Sequence, residues 1–193
     1  MFLEPKADTG RIEVITGSMF SGKTEELLRR INRAKIAGQA YTLFKPFIDK
    51  RYHDSKVVSH NDNTLNSTTV KKPEEMLLGI EEVEIIGIDE AQFFDASLTK
   101  IVSHMANRGK RVIVAGLDMD YTGKPFGPMP DLMAIAEYVS KTNAICVVCG
   151  KIASHSFRIL KSVDQVALGA KSDYEARCRK CFNNGMGHQS DSF

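Results

Sequence analysis

The stretch GSMFSGKTEE, Gly17 to Glu26, decides how the rest of the chain is read. It leaves the short β-branched run RIEVIT (Arg11 to Thr16) through a glycine and reaches a lysine and a threonine that open an apolar, periodic stretch. Gly17, Ser18, Met19, Phe20, Ser21, Gly22, Lys23 and Thr24 satisfy G-x-x-x-x-G-K-[ST], in the strand-to-helix context that the pattern requires. The chemistry needs these residue types. Glycines let the backbone turn its amides inward around phosphate oxygens, and the opening helix adds partial positive charge. Lys23 is expected to reach the β- and γ-phosphates and Thr24 to ligate Mg²⁺, so the loop predicts a site for MgATP.

Outward from the loop, Leu27, Leu28, Ile31, Ala34 and Ile36 recur at helical spacing up to a stop at Gly38, and Ala40 to Pro46 reads as a second strand. Strand, helix and strand predict a right-handed βαβ crossover. Phe47 to Ser67 is polar and without a period, and reads as a mobile excursion. Two further buried-type strands, Val83 to Ile88 and Val112 to Leu117, end in acids: Asp89 and Glu90 after the first, Asp118 after the second. Leu98, Ile101, Val102 and Met105 predict a crossover helix between them that stops at Gly109, and a third helix is predicted over Leu132 to Val139. The expected fold is α/β: a mainly parallel sheet flanked by helices over residues 11–142, then a small zinc-binding domain over 143–184. Residues 1–10 and 185–193 are expected to be flexible termini.

Asp89 stands where a second strand of a phosphate-loop protein delivers an acid to the magnesium shell. Glu90, one residue beyond, is the candidate general base for an attacking nucleophile; a surface glutamate, or one that polarises water, are the alternatives. All four cysteines fall in two C-x-x-C pairs, Cys146 with Cys149 and Cys178 with Cys181. Four thiolates at that spacing point to a structural Zn²⁺ with no open coordination position, against the alternatives of disulfides or a redox dithiol. None of His53, His60, His104, His155 and His188 has a partner pattern, and each is expected to be solvated or packed.

Composition narrows the function classes. The chain has 193 residues with 26 basic and 24 acidic side chains, a net charge of +2, which gives no strong positive field for nucleic acid. No run approaches membrane-spanning length, and MFLEPKADTG lacks the basic start and apolar core of a secretory leader. A soluble, cytoplasmic protein is the expectation.

Taken together, GSMFSGKT, IDEAQFF, LDMDYTGKPFG, the paired C-x-x-C and VALGAKSDY resemble the type II thymidine kinases, from Gly10 to Asn183. The resemblance implies a phosphate-loop α/β domain joined to a zinc-held lasso domain. It implies ATP as donor and the 5′-hydroxyl of thymidine or deoxyuridine as acceptor, with Asp89 as the magnesium-associated acid and Glu90 as the base. Asp49, Lys50 and Arg51 fall on a flexible segment that approaches the donor phosphates, and Gln92 falls among the donor contacts. The nucleoside is implied to lie among Met19, Phe93, Leu117, Tyr121 and Tyr174, and against main-chain groups of Gln165, Val166, Ala167, Leu168 and Gly169. Tyr121 departs from the phenylalanine of some members, and both rings can stack. A homotetramer, and feedback inhibition by the triphosphate end product, are further family implications. The rival class is a phosphate-loop ATPase or switch whose zinc module, with the basic RCRK and GKIASHSFRILK, binds nucleic acid or protein.

Overall fold

A computed structural model describes residues 10–47, 56–58, 64–159 and 173–187. Strand β1 (Arg11–Gly17) is the axis of the molecule. It lies between β7 (Arg111–Gly116) and β8 (Tyr138–Thr142), with β6 (Ile85–Ile88), β2 (Tyr41–Pro46) and β5 (Thr68–Val70) continuing beyond β7. The order is β5-β2-β6-β7-β1-β8, and every pairing in this six-stranded sheet is parallel. A parallel sheet must be covered on both faces, and the period-2 alternation of its strands shows how. Ile113 and Ala115 face Leu27, Leu28, Ile31 and Ala34 of helix α1 (Lys23–Ile36). Val112 and Val114 face the opposite way, into a cluster with Leu98, Val102 and Met105 of α2 (Ser97–Asn107) and Met129 and Leu132 of α3 (Met129–Ile135). Ile36, though in phase on a short reading, is 87% exposed at the end of α1.

Three expectations are corrected. The predicted third helix over Leu132 to Val139 ends at Ile135, and Tyr138–Thr142 is instead the edge strand β8, paired with β1. Ala136 turns to ψ 138° and breaks the helix, and hydrogen bonds to β1 override the local periodicity. Within the polar segment read as an excursion, β3 (Lys56–Val58) and β4 (Thr64–Asn66) form an antiparallel pair, and Leu65 leans on the α1-side core. The tail expected from Gly185 is still helical there, since α4 (Arg179–Met186) continues through it.

After the sheet come two small antiparallel pairs. β9 (Ala144–Ile145) pairs with β10 (Ile152–Ala153), and β11 (His155–Arg158) with β12 (Tyr174–Arg177). Among the described residues their apolar cluster is Ala144, Cys146, Ala153 and Ala176, with Cys178 and Cys181 against it, and Phe182 packs on His155 and Phe157 beside it. So small a core needs another cross-link to hold shape.

Helix α1, which carries the phosphate loop at its start, is fixed to the sheet by ions that the sequence reading did not find. Glu13, 5% exposed on β1, meets Arg11 at 2.9 Å, Arg111 at 2.6 Å and Arg30 of α1 at 2.9 Å. Arg30 also reaches Glu26 at 2.8 Å and donates to Ser140 Oγ at 2.9 Å. Burial raises the Glu13 carboxyl, but Arg111, Arg11 and Arg30 outweigh it and leave it below the usual range. Hydrogen bonding from Arg29 first, then from Arg30, holds Glu26 at about 2. Both folded values lie below the unfolded ones, so the stability these groups contribute is present well above pH 4.5 and is lost as pH falls through the folded values, about 2 for Glu26. Glu13→Gln removes the carboxylate shared by three part-buried guanidinium groups and is expected to cost about 1.5–3 kcal/mol in denaturant unfolding at pH 7. The difference should shrink in acid; a loss under about 1 kcal/mol at neutral pH contradicts the assignment.

Candidate phosphoryl-transfer site

The sequence GSMFSGKT folds as a loop because its glycines sit where no other residue fits. Gly17 has φ 143° and a Cβ there would lie 2.1 Å from the carbonyl oxygen of Thr142; Gly22, with φ 82°, precedes the first turn of α1. Gly22 offers no side-chain cap, so the amides of that turn are not answered by a capping oxygen, the arrangement in which a helix start accepts an anion. The loop is anchored from β8, where the Ser21 and Thr142 hydroxyls are 3.0 Å apart and Thr142 Oγ1 donates to the Thr16 carbonyl at 3.0 Å. Lys23 Nζ donates to the Ser18 carbonyl at 2.8 Å, across the loop rather than outward.

The parallel order brings the end of β6 beside this loop. Asp89, 6% exposed, accepts from Thr24 Oγ1 at 3.2 Å and from the Glu90 amide at 2.9 Å. A hydroxyl and a carboxylate in contact at the mouth of a phosphate loop are the oxygen donors a Mg²⁺ ion takes alongside phosphate. Glu90 has the left-handed conformation, φ 52° and ψ 40°, unusual for a residue with a side chain. Its carboxylate is held by Gln92, whose Nε2 donates to Glu90 Oε2 at 2.5 Å while its Oε1 accepts from the Leu117 amide at 2.9 Å. Gln92 is 2% exposed, and both ends of its side-chain amide are engaged in this tie between β6 and β7. A strained backbone with a doubly anchored positioning residue aims one carboxylate in a fixed direction.

The loop LDMDYTGKPFG folds back over Gln92. Asp120 Oδ1 accepts from the Thr122 amide at 2.8 Å and the Lys124 amide at 3.1 Å, and Gly127, with φ 50°, has room for no Cβ because the Gln92 carbonyl oxygen would lie 2.3 Å from it. Phe126 meets Phe93 edge to face at 5.7 Å, and Tyr121 stands half-buried beside the guanidinium of Arg158, whose centre is 3.9 Å from the ring centroid. Arg158 Nε and Nη2 donate to the Tyr174 hydroxyl at 3.1 and 2.7 Å. The Met19 amide donates to Ser156 Oγ at 3.0 Å, so β11 touches the phosphate loop directly. Leu117 is half-buried at the end of β7. Asp118, the remaining strand-end acid, is 5% exposed and ion-paired with Lys141 at 2.6 Å.

The four cysteine sulfurs all lie within 4.8 Å of one another, with Cys149 and Cys178 at 3.6 Å. That is far above the length of a disulfide bond and close to the edge of about 3.8 Å that Zn–S bonds of about 2.3 Å set in a tetrahedron. Burial raises the Cys146 thiol, but the amides of Cys178, Val148 and Cys149 outweigh it and pull the thiol down, while the neighbouring sulfurs push Cys181 up to about 12, so the four sulfurs titrate as one group and one carries a negative charge most readily. The residues therefore fit a four-sulfur Zn²⁺ site.

The sequence profile for thymidine kinase matches residues 10–182. The chain belongs to the thymidine kinase family. The thymidine kinase of Bacteroides fragilis strain YCH46 is 55% identical over 177 residues, which is 92% of this chain and 89% of that one. That of Rhodothermus sp. strain ITI 518 is 54% identical over 182 residues, 94% and 85% of the two chains. That of Porphyromonas gingivalis strain W83 is 54% identical over 173 residues, 90% and 85%. Domain III of the Thermotoga maritima replication initiation protein DnaA superposes with a TM-score of 0.44 at 16% identity, over 72% of this chain and 56% of that one.

For a thymidine kinase family member, the residues named from sequence are brought together in part. Lys23, Thr24, Asp89 and Glu90 share one edge of the sheet, and Met19, Phe93, Leu117, Tyr121 and Tyr174 approach it from the loops and from β12. Asp49, Lys50 and Arg51, the main-chain groups of Gln165 to Gly169, and His53, His60 and His188 lie outside the described residues. His104 is exposed; His155 is 4% exposed and stacks on Phe182 at 4.6 Å, and burial first, then Arg179, push its pKa down, so it packs as a neutral ring. Ser156 and Arg158 were missed. Both sit on a four-residue strand whose pairing with β12 no local pattern signals.

Proposed function

We propose that this chain transfers the γ-phosphoryl group of MgATP to the 5′-hydroxyl of thymidine, or of deoxyuridine, giving the 5′-monophosphate. The observation that carries the reading is the juxtaposition of the phosphate loop, the Thr24–Asp89 contact and a Glu90 carboxylate pinned by Gln92, in a chain 55% identical to a thymidine kinase. Gly17 to Thr24 cradle the donor phosphates and Lys23 swings from the Ser18 carbonyl onto them. Thr24 and Asp89 would hold Mg²⁺, which would neutralise charge on the phosphates when bound. Glu90 accepts the proton of the 5′-hydroxyl as its oxygen attacks the γ-phosphorus, and ADP leaves. Phe93, Tyr121 and Tyr174 enclose the base, with Met19 and Leu117 at its edge.

Cys146, Cys149, Cys178 and Cys181 hold Zn²⁺, which shapes the β9–β12 unit and takes no part in chemistry. We take residues 11–142 as the nucleotide-binding domain and 143–184 as the lasso domain. Asp49, Lys50 and Arg51 as donor-phosphate contacts, and the main chain of Gln165 to Gly169 as base contacts, are part of the same proposal. So is a cytoplasmic homotetramer: β8 leaves one edge of the sheet unpaired among the described residues, and Tyr138 and Val139 on it are 59% and 48% exposed. Among the described residues no helix is long and apolar enough to cross a membrane.

Measuring ATP consumption alone, with thymidine and with DNA tests the reading. Strong dependence on thymidine is expected; consumption that proceeds equally without it, or that DNA stimulates, selects a nucleotide-driven switch in which Glu90 activates water.

A further inference from the structure

The side chain least expected in a nucleoside pocket is the buried cation. Arg158 is 8% exposed on β11, directly across from Tyr174 of β12 in the antiparallel register. Its guanidinium does two things at once. The Nε and Nη2 edge donates two hydrogen bonds to the Tyr174 hydroxyl, at 3.1 and 2.7 Å, and its central carbon lies over the Tyr121 ring, 3.9 Å from the centroid. Tyr121 belongs to the loop after β7 and Tyr174 to the cysteine-held unit, so one side chain locks two rings from different parts of the fold.

We infer that Arg158 is a positioning residue for nucleoside binding, fixing the Tyr121 ring plane and the direction of the Tyr174 hydroxyl before substrate arrives. This rests on the reading of Tyr121 and Tyr174 as walls of the thymidine pocket. Three consequences follow from the chemistry of the groups. A phenol oxygen that accepts two guanidinium N–H groups has filled its acceptor sites, so its own O–H can only donate. One face of Tyr121 is covered by the cation, which leaves the other for a base to stack upon. A planar fork does both jobs; an ammonium, a point donor on a flexible stem, cannot stack and bridge together.

The test is Arg158→Lys, with thymidine and ATP affinities measured separately by calorimetry and the fold checked by thermal unfolding. Losing the fork should weaken thymidine binding by about tenfold or more, from the lost charged hydrogen bond and ring contact, while ATP affinity stays within about twofold. Unchanged thymidine affinity in a folded variant overturns the inference, and so does an equal loss for both ligands, which marks a merely structural cation. If Arg158→Lys does not fold, Tyr174→Phe removes the hydroxyl that Arg158 directs, and unchanged thymidine affinity there likewise overturns the inference. Tyr121→Ala separates the two levels: if it weakens thymidine binding and Arg158→Lys does not, the pocket stands and the positioning role falls. If neither does, the pocket reading itself is wrong.

Discussion

Glu90→Gln is expected to lower turnover by roughly two to four orders of magnitude, the range for a lost general base, and to leave ATP affinity nearly unchanged. The substitution is isosteric and keeps an acceptor for the Gln92 amide, so the loop that begins at Glu90 should persist. What it removes is the ability to take a proton from the sugar hydroxyl. The strained backbone at Glu90 and the tie through Gln92 to the Leu117 amide have a second consequence. Gln92→Ala frees the carboxylate without removing it, so turnover should fall by less than in Glu90→Gln. Steady-state rates with a donor titration check both, and a Glu90→Gln enzyme as fast as the parent removes glutamate from the chemistry.

Removing the metal from the four-cysteine site, by chelation or by Cys146→Ser, is expected to abolish thymidine-dependent turnover to below about a hundredth of the parent value. An apolar cluster of Ala144, Cys146, Ala153 and Ala176 cannot hold β9 to β12 without a cross-link, and β11 and β12 carry Ser156, Arg158 and Tyr174. Losing the unit therefore disperses one wall of the nucleoside pocket. The phosphate loop stays, because Gly17 to Thr24 are held by β1, β8 and α1. The hydrogen bonds from the Met19 amide to Ser156 and from Ser18 Oγ to the Ala153 carbonyl are lost there, about 1–2 kcal/mol together, so ATP binding should weaken by about thirtyfold at most. Hydrogen exchange should show fast amides in 144–158 and 174–186 and slow ones in β1, β6 and β7. Full thymidine-dependent activity in protein shown to be free of zinc contradicts the account.

The donor site was legible from sequence because it is local. Eight consecutive residues fix the loop, and continuous buried runs announce β1, β6 and β7, the last two with their terminal acids. What lay beyond local pattern depended on pairing across the chain. LMAIAEYVS has apolar residues at helical spacing, yet its second half is a strand because β1 offers an open edge, and an edge strand that shows water one face has no buried run to declare it. The strands of the cysteine-held unit are two to four residues long, too short for any period to be read. The same reason hid Arg158 and Glu13, since charged side chains read alone are solvated, and only distant partners make them buried anchors. Gln92 was named, but its bond to the Leu117 amide spans 25 residues and exists only in the folded sheet.

The most direct test of the central claim is the position of Glu90 in a crystal structure of the protein with thymidine and a non-hydrolysable ATP analogue bound together. The account predicts a Glu90 carboxylate oxygen within hydrogen-bond reach of the 5′-hydroxyl, with that hydroxyl in line with the γ-phosphorus and Lys23 on the phosphates. A Glu90 side chain turned away, with a different basic group or a water in its place at the 5′-oxygen, would contradict it.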